Sequence, residues 1–195
     1  VESLGGDVKE DLLKIDCGEY QDRHEIAKLI GAPPGYVGHG ETEPILSQHN
    51  IDTHRVQGVT TVLFDEIEKA SDHLHQMMLG IMDKGCFHTG DNKQVDMTKC
   101  MVFMTSNLGG LEIQDWMTSS TARDKLRSKL NLRTTATMDE MVTEIAKRSF
   151  KPEFWNRIDR IVIFKPLEKP VLLEILDLEM KYALQRCSAG MYLVS

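Results

Sequence analysis

Apolar positions cluster in short runs along this chain, and segments with a different period separate the runs. Four runs are almost continuously apolar rather than alternating, at residues 12–16, 60–66, 100–107 and 160–167. Unbroken apolar runs of this length are typical of strands that are covered on both faces. The pattern therefore predicts four buried strands.

The segments between these runs carry apolar residues at helical spacing. In residues 71–84, Leu74, Met78 and Ile81 fall on one helical face, and Gly85 follows as a stop signal. The same reasoning predicts helices at residues 23–30, 71–84, 139–150 and 171–186. Strands that alternate with helices indicate an α/β fold, with a parallel sheet between two layers of helices.

Two parts of the chain depart from this alternation. Residues 109–137 are polar and rich in Ser and Thr, which favours a surface excursion with one short helix near residues 122–130. Pro166 interrupts the chain after the fourth predicted strand. We therefore divide the chain into a large domain, residues 1–166, and the beginning of a small helical domain, residues 167–195.

Composition and charge restrict the function classes. The chain has 195 residues, of which 41% are hydrophobic and 27% charged, so it is long enough for one sizeable core. Its net charge of −7 argues against a nucleic-acid binder. A basic cluster is present, and a solvated helix face is its favoured interpretation. Its members are Arg123, Lys125, Arg127, Lys129 and Arg133.

The signals for membrane insertion, export and redox chemistry favour a cytoplasmic protein. No apolar run approaches the roughly 18 residues of a membrane span, and no signal peptide is visible. The four cysteines lie far apart and form no C-x-x-C pair, which suits reduced, buried thiols. The histidines form no H-E-x-x-H motif, so no histidine metal site is expected.

Acidic side chains follow the second apolar run. In TTVLFDEIEKA the run leads directly into Asp65 and Glu66, which places two carboxylates at the carboxyl edge of the sheet, where open α/β sheets bind ligands. Asp65 can hold Mg²⁺ directly or through water. Glu66 can orient and deprotonate a water that attacks a γ-phosphate. The alternative is that Asp65 only caps the following helix.

Two further polar residues could complete such a site. Asn107 ends the third apolar run, where it could contact the γ-phosphate or the attacking water, or form only an Asx-type turn. Arg157 lies just before the fourth run, in SFKPEFWNRID. It could pair with Asp159 or Glu153, or reach a neighbouring subunit's nucleotide as an arginine finger, since a guanidinium is always charged and forks onto phosphate oxygens.

The loop GAPPGYVGHG, residues 31–40, carries an apolar pair at a bend. Proline and glycine dominate this loop, and Tyr36 and Val37 lie between Gly35 and Gly38. Loop tips usually carry polar residues. An apolar pair between rigid flanks therefore indicates contact with another chain.

The order of these motifs resembles one family, the Clp-type AAA+ unfoldases and disaggregases such as ClpA, ClpB and ClpC, in their second ATPase module. The similarity lies in IDCGEYQDRHEIAKLIGAPPGYVG, TTVLFDEIEKA, MVFMTSNLGG and FKPEFWNRIDRIVIFKPL. It covers nearly the whole chain and is weakest over residues 41–58 and 109–137. The resemblance implies a P-loop NTPase (AAA+) core, in a homo-hexameric ring that hydrolyses ATP and threads polypeptide through its pore.

The resemblance also implies a role for each candidate residue. Asp65 and Glu66 correspond to the Walker B pair, Asp65 for Mg²⁺ and Glu66 for catalysis. Asn107 corresponds to sensor 1, and Arg157 to the arginine finger. Residues 35–38 correspond to the axial pore loop that grips unfolded or aggregated polypeptide, since an aromatic face binds many sequences without a specific hydrogen bond. The implied cofactors are ATP and Mg²⁺.

One family feature is absent from the sequence. No G-x-x-x-x-G-K-[ST] phosphate loop, the Walker A motif, occurs in the 195 residues. The family has that loop just upstream of a segment like residues 1–13, and its sensor 2 arginine would lie past the end. We therefore expect a fragment, or a protein with part of its sequence removed, that binds ATP poorly alone, because that loop cradles the phosphates.

Other departures keep different interpretations open. Residues 109–137 hold no Ile-Gly-Phe or Ile-Gly-Leu tripeptide, so no docking to a ClpP-like peptidase is expected, and residues 41–58 are longer and more polar than is usual in the family. The module could be a non-catalytic AAA+ scaffold or adaptor. The retention of all four candidate residues argues against that, namely Asp65, Glu66, Asn107 and Arg157. A DNA motor on the same fold is disfavoured by the acidic balance and the aromatic loop.

Overall fold

The computed structural model describes residues 5–7, 11–35 and 43–190, with the side chains of residues 23, 24 and 187–190 outside that description. The chain divides into two compact units, Val1–Arg160 and Ile161–Ser195. The first unit holds the sheet and seven of the helices described below, and the second holds one helix. The predicted domains, residues 1–166 and 167–195, stay a prediction.

A sheet built around one central strand organises the first unit. Strand β3, Val59–Asp65, pairs in parallel with β1, Leu12–Asp16, on one side and with β6, Cys100–Met104, on the other. The two-residue strand β2, Arg55–Val56, pairs antiparallel with the start of β3. Val62 and Phe64 of β3 are fully buried, as their apolar run predicts. The predicted parallel α/β fold is confirmed.

The helices of the first unit begin and end at the expected signals. They are α1 Arg23–Ile30, α2 Gln48–Thr53, α3 Asp72–Lys84, α4 Gly110–Thr118, α5 Ser120–Leu130, α6 Met138–Ser149 and α7 Pro152–Trp155. In α3, the Ser71 hydroxyl accepts the Leu74 N–H as an N-cap, and Gly85 ends the helix in the left-handed region, with φ 63°. The second unit contains α8, Lys169–Gly190, which begins two residues before the predicted start.

The excursion at residues 109–137 is more ordered than its polarity predicts. It contains two helices, α4 and α5, rather than one. Together with α6 they enclose a small apolar core of Trp116, Leu126, Leu130 and Met141. The Arg127 guanidinium lies 4.9 Å above the Trp116 ring centroid, so one member of the basic cluster covers an aromatic ring.

A second, two-stranded sheet was not predicted. Strands β4, Cys86–His88, and β5, Gln94–Asp96, form an antiparallel hairpin directly after α3. Phe87 and Val95 of this hairpin belong to the main core. Strands of three residues are too short to show a period in the sequence.

Two predictions about strands are wrong. Residues 160–167 form no strand, and Phe164 there is 86% exposed. Strands β1 and β6 are not covered on both faces, because Lys14 in β1 and Met101 and Phe103 in β6 are exposed. A strand needs a neighbour for its backbone groups. Within the described ranges, β6 pairs only with β3, and residues 160–167 pair with no strand.

Two other sequence features have structural counterparts. None of the described helices is both long and apolar enough to cross a membrane. Cys17, Cys86 and Cys100 are free thiols, and of these only Cys17 is buried. Burial raises the pKa of the Cys17 thiol to about 12, so it stays protonated near neutral pH.

Candidate active site

The polar residues at two strand ends converge at one edge of the sheet. Asp65 is the last residue of β3, and Asn107 follows β6 by three residues. Because β3 and β6 run in parallel, their carboxyl ends meet at the same edge. The Asn107 amide Nδ2 donates a hydrogen bond of 3.1 Å to Glu66 Oε1. The structure thus brings Asp65, Glu66 and Asn107 together.

The backbone of Glu66 adopts an unusual conformation. Its φ of 54° and ψ of 50° lie in the left-handed region, which costs an L-residue roughly 1–2 kcal/mol. The Glu66 N–H donates to Thr105 Oγ1 at 3.1 Å, and the Ile67 N–H donates to the Thr105 carbonyl at 3.0 Å. Non-glycine residues held in this region cluster at functional sites. The bend aims the Glu66 carboxylate at Asn107 instead of continuing the strand.

The Asp65 carboxylate is fully engaged at the strand end. Lys14 Nζ of the adjacent strand lies 2.6 Å from Asp65 Oδ2, and the Thr105 hydroxyl donates to Asp65 Oδ1. The hydrogen bond from Lys14, followed by that from Thr105, lowers the pKa of Asp65, and the same contact raises the pKa of Lys14. Asp65 is therefore ionised at neutral pH. It caps no helix, since the cap of α3 is Ser71.

The Glu66 carboxylate also has two partners. Lys69 Nζ lies 2.6 Å from Glu66 Oε2, opposite the Asn107 amide on Oε1. The hydrogen bond to Glu66 raises the pKa of Lys69. Glu68 Oε1 accepts the Asn107 backbone N–H at 3.1 Å and so fixes the loop that carries Asn107. Lys69 is half exposed, so it can move away without disturbing this arrangement.

The donor set at this edge fits one hard cation. No cluster of three or more His, Cys, Asp or Glu residues that could hold a metal occurs in the described part of the chain. Mg²⁺, however, usually takes only one or two protein carboxylates and completes its shell with water and substrate phosphates. Asp65 offers ionised oxygen, and the positive charge of the Lys14 ammonium already balances the negative charge of this carboxylate at Oδ2. Lys14 is 55% exposed and can yield to a cation.

Arg157 lies apart from this edge. Its Nε donates to the Asp83 carboxylate and its Nη1 to the Glu153 carbonyl at 2.7 Å. The Arg157 contact lowers the pKa of Asp83. Asp83 belongs to the last turn of α3, whereas the Glu66 turn precedes the first. A helix of 13 residues separates them by about 20 Å. Neither Asp159 nor the Glu153 side chain is the partner.

Only the root of the predicted pore loop is described. Gly31 ends α1 with φ 88°, and Gly35 has φ 89°, a region that glycine occupies without strain. Tyr36, Val37 and Gly38 lie outside the described residues. The predicted contact surface of this loop therefore stays a prediction.

Several residues of the site were missed by sequence reasoning. Lys14, Lys69 and Thr105 bind the two carboxylates, and Asp83 binds Arg157. The signal for Lys14 was available, since Lys14 and Asp16 share the exposed face of β1 beside β3. Asp83 offered no signal, because it lies 74 positions from Arg157.

An α/β domain with an acidic pair and an amide at the carboxyl edge of its sheet is the class of fold that nucleoside triphosphatases use. The family model "AAA domain (Cdc48 subfamily)" matches residues 1–161. The chain therefore belongs to the AAA family of nucleotide-binding domains. The resemblance to Clp-type AAA+ proteins, and with it the AAA+ fold, is confirmed.

Curated relatives and solved structures agree with this assignment. The chain is 37% identical over 174 residues to chaperone protein ClpD1, chloroplastic, of Oryza sativa subsp. japonica, covering 86% of the chain and 17% of the relative. It is 32% identical over 180 residues to chaperone protein ClpB of Meiothermus ruber, covering 92% and 19%. The chain thus spans less than a fifth of the length of these relatives.

Two structures of Hsp104 share the fold. One is a closed-state reconstruction of Hsp104 with ATPγS and FITC-casein, with a TM-score of 0.70 and 29% identity. The other is an extended Hsp104–casein complex of S. cerevisiae, with a TM-score of 0.66 and 28% identity. Each similarity covers 91% of this chain and 28% of the Hsp104 chain.

Proposed function

We propose that this chain is part of an ATP-driven motor that threads unfolded or aggregated polypeptide through the pore of a ring. The observation that carries the proposal is the hydrogen bond of 3.1 Å between Asn107 and Glu66, beside an ionised Asp65 at the carboxyl edge of the sheet. The Clp chaperone relatives and the Hsp104–casein structures support the choice of polypeptide as substrate.

Each residue of the edge has a chemical task in the protein that contains this chain. Asp65 would hold Mg²⁺, which neutralises charge on the β- and γ-phosphates of ATP. Glu66 accepts the proton of the attacking water, and Asn107 orients the Glu66 carboxylate through Oε1. Lys69 must leave Oε2 before Glu66 can accept that proton, which its half-exposed position allows.

Arg157 would complete the site of a neighbouring subunit. Its anchor at Asp83 lies about 20 Å along α3 from the Glu66 turn, so it is suited to an interface between subunits rather than to its own site. A ring of identical subunits, a homo-hexamer in this proposal, repeats one head-to-tail interface. The Arg157 guanidinium, supplied in trans, then stabilises charge on the γ-phosphate of the neighbouring subunit's ATP.

The remaining proposals concern the substrate and the compartment. Gly35, Tyr36, Val37 and Gly38 would form the pore loop that grips the polypeptide, and no peptidase, nucleic acid or membrane partner is proposed. The cytoplasm is the proposed location. Free thiols at Cys17, Cys86 and Cys100 suit such a compartment.

Replacing the proposed base tests this function. In the complete protein, Glu66→Gln should retain the binding of fluorescent ATP and lower hydrolysis by at least about a hundredfold, because the amide cannot accept the proton. Glu112→Gln, in the first turn of α4, is the matched control and should hydrolyse ATP normally. Unchanged turnover in Glu66→Gln would refute the proposal.

One observation favours a second candidate, a non-catalytic scaffold. Both carboxylates of the edge are already paired with lysines, Asp65 with Lys14 and Glu66 with Lys69. A scaffold would assemble into the ring without binding ATP. Equilibrium binding of fluorescent ATP to the complete protein separates the two candidates.

A further inference from the structure

The hairpin β4–β5 ends in a turn that its own side chains fix. The Thr89 hydroxyl donates to Asp91 at 2.5 Å and accepts the Lys93 N–H at 3.0 Å. Lys93 Nζ lies 2.6 Å from Asp91 Oδ2, and this contact, with the Thr89 hydrogen bond, lowers the pKa of Asp91 to about 2. The tip of the hairpin, residues 89–93, therefore has a defined shape although it is partly exposed.

This tip lies directly against the root of the loop that carries Tyr36. The Gly90 N–H donates to the Ile30 carbonyl at 2.9 Å. A Cβ on Gly90 would lie 2.1 Å from the Gly31 oxygen and 2.8 Å from the Gly31 carbonyl carbon. Both obstacles are backbone atoms, so no side-chain movement could relieve the overlap. Only glycine allows the two backbones to meet here.

The other end of the hairpin is joined to α3. The Gly85 N–H donates to the Ile81 carbonyl at 2.8 Å, and the Met97 N–H closes the hairpin on the Gly85 carbonyl at 2.7 Å. Phe87 and Val95 anchor it in the core, at 5% and 2% exposure. The hairpin is therefore a rigid extension of the helix that begins after Glu66.

We infer that the hairpin braces the root of the Tyr36 loop and that Gly90 is a positioning residue for polypeptide threading. The continuous path runs from the Glu66 turn through α3 and the hairpin to Gly31, five residues before Tyr36. A movement of α3 is transmitted to the loop through backbone contact. This inference rests on the proposed function, because it assigns the Tyr36 loop the grip on polypeptide.

Three variants of the complete protein test the inference, with FITC-labelled casein as the threading probe. Gly90→Ala must push the Gly31 backbone away by about 1 Å, since non-bonded carbon and oxygen atoms need more than 3 Å. We expect threading per ATP to fall about tenfold, with ATP hydrolysis unchanged within about twofold. Gly110→Ala, which has no heavy atom within 4 Å of the added Cβ, is the matched control and should thread normally.

A milder variant keeps the test valid if Gly90→Ala folds poorly. Thr89→Val removes the hydrogen bonds that the Thr89 hydroxyl makes with Asp91 and Lys93, without creating an overlap. It should lower threading per ATP by a smaller amount in the same direction. Hydrogen exchange gives an independent readout. The backbone amide at position 90 should exchange faster in both variants, and unchanged exchange in both would overturn the inference.

The outcomes separate the two levels of the proposal. If Tyr36→Ala stops threading while Gly90→Ala and Thr89→Val thread casein normally, the brace is refuted and the motor stands. If the wild-type protein hydrolyses ATP without threading casein, the proposed threading function is refuted. The inferred role of the hairpin in threading is then refuted as well.

Discussion

Helix α3 contacts residues 150–157 in different ways at its two ends. At the first end, the His75 ring packs edge-on against Phe150 and Phe154, with ring centroids 5.9 Å and 5.0 Å away. His75 Nε2 also lies 3.1 Å from the Ile67 carbonyl, in the turn that follows Glu66. Asp72 at this end also forms an exposed ion pair of 2.7 Å with Lys151. At the last end, Arg157 of the same segment contacts the helix through an ion pair with Asp83, with the Asp83 and Arg157 side chains 42% and 34% exposed.

This difference indicates that the Glu66 turn is fixed in position, whereas the contact of Arg157 can be exchanged. Aromatic burial holds the Glu66 turn in one geometry, because a packed interior resists displacement. An exposed ion pair can exchange its partner, because solvent screens it and its net contribution is small. The start of the helix thus adjoins the Glu66 turn, which is the proposed catalytic turn, and its end carries a replaceable contact for the proposed arginine finger.

The largest expected effect follows from removing Arg157. In the complete protein, Arg157→Ala should lower ATP hydrolysis on the order of a thousandfold, because an arginine finger contributes that much to phosphoryl transfer. Nucleotide binding, measured with fluorescent ATP, should persist. Arg160→Ala, three residues later, is the control and should hydrolyse ATP at the normal rate. If Arg157→Ala hydrolyses ATP at the normal rate, Arg157 is not an arginine finger, and the two ends of α3 do not differ in the proposed way.

Loss of a buried ring should affect the first end through stability. Phe154 is 2% exposed and contacts both His75 and Phe150. Phe154→Ala should lower the free energy of unfolding by about 3 kcal/mol, through lost burial and a residual cavity, as measured by chemical denaturation. Leu111→Ala, at a side chain that is 78% exposed, should change it little. A similar loss in both variants would contradict the account.

The ion pair at the last end should matter for activity and not for stability. Asp83→Ala should lower ATP hydrolysis about tenfold, because the Arg157 guanidinium loses the partner that orients its Nε. Asp83→Asn keeps a hydrogen-bond acceptor and should recover most of that loss. Thermal denaturation should give nearly the wild-type midpoint for both. A faster Asp83→Ala enzyme would mean that Asp83 withholds Arg157 rather than orienting it.

The smallest expected effect is a pH dependence at the first end. Burial lowers the pKa of His75, while Asp72 opposes and Lys151 reinforces the shift. Below the unfolded pKa of about 6.5, the unfolded chain binds the proton more readily, so stability falls as the pH falls towards the folded pKa. His75→Phe should abolish this part of the dependence. If the free energy of unfolding has the same dependence on pH between about 5.5 and 7.5 in the wild-type protein and in His75→Phe, His75 does not contribute to that dependence.

The sequence predicted the centre of the fold because its signals were local. The run that became β3 is nearly continuous and apolar, and α3 has a serine cap before it and a glycine after it. The convergence of Glu66 and Asn107 followed from the rule that parallel strands end at one edge.

The rest depended on contacts between distant residues. The hairpin strands have three residues each, too few for a period, and their core contacts come from the tertiary fold. The core around Trp116 collects residues from three helices, and a polar composition conceals it. Residues 160–167 are as apolar as a strand, yet the pattern cannot show whether a neighbouring strand is present to pair with them.

The most direct test of the central claim is to mix two inactive variants of the complete protein. Glu66→Gln subunits supply Arg157, and Arg157→Ala subunits supply Glu66. If hydrolysis occurs at interfaces between subunits, a one-to-one mixture restores both residues at about a quarter of the head-to-tail interfaces. ATP hydrolysis in the mixed rings should then rise well above that of either variant alone. Mixed rings that stay as inactive as each variant would show that Arg157 does not act on a neighbour's nucleotide.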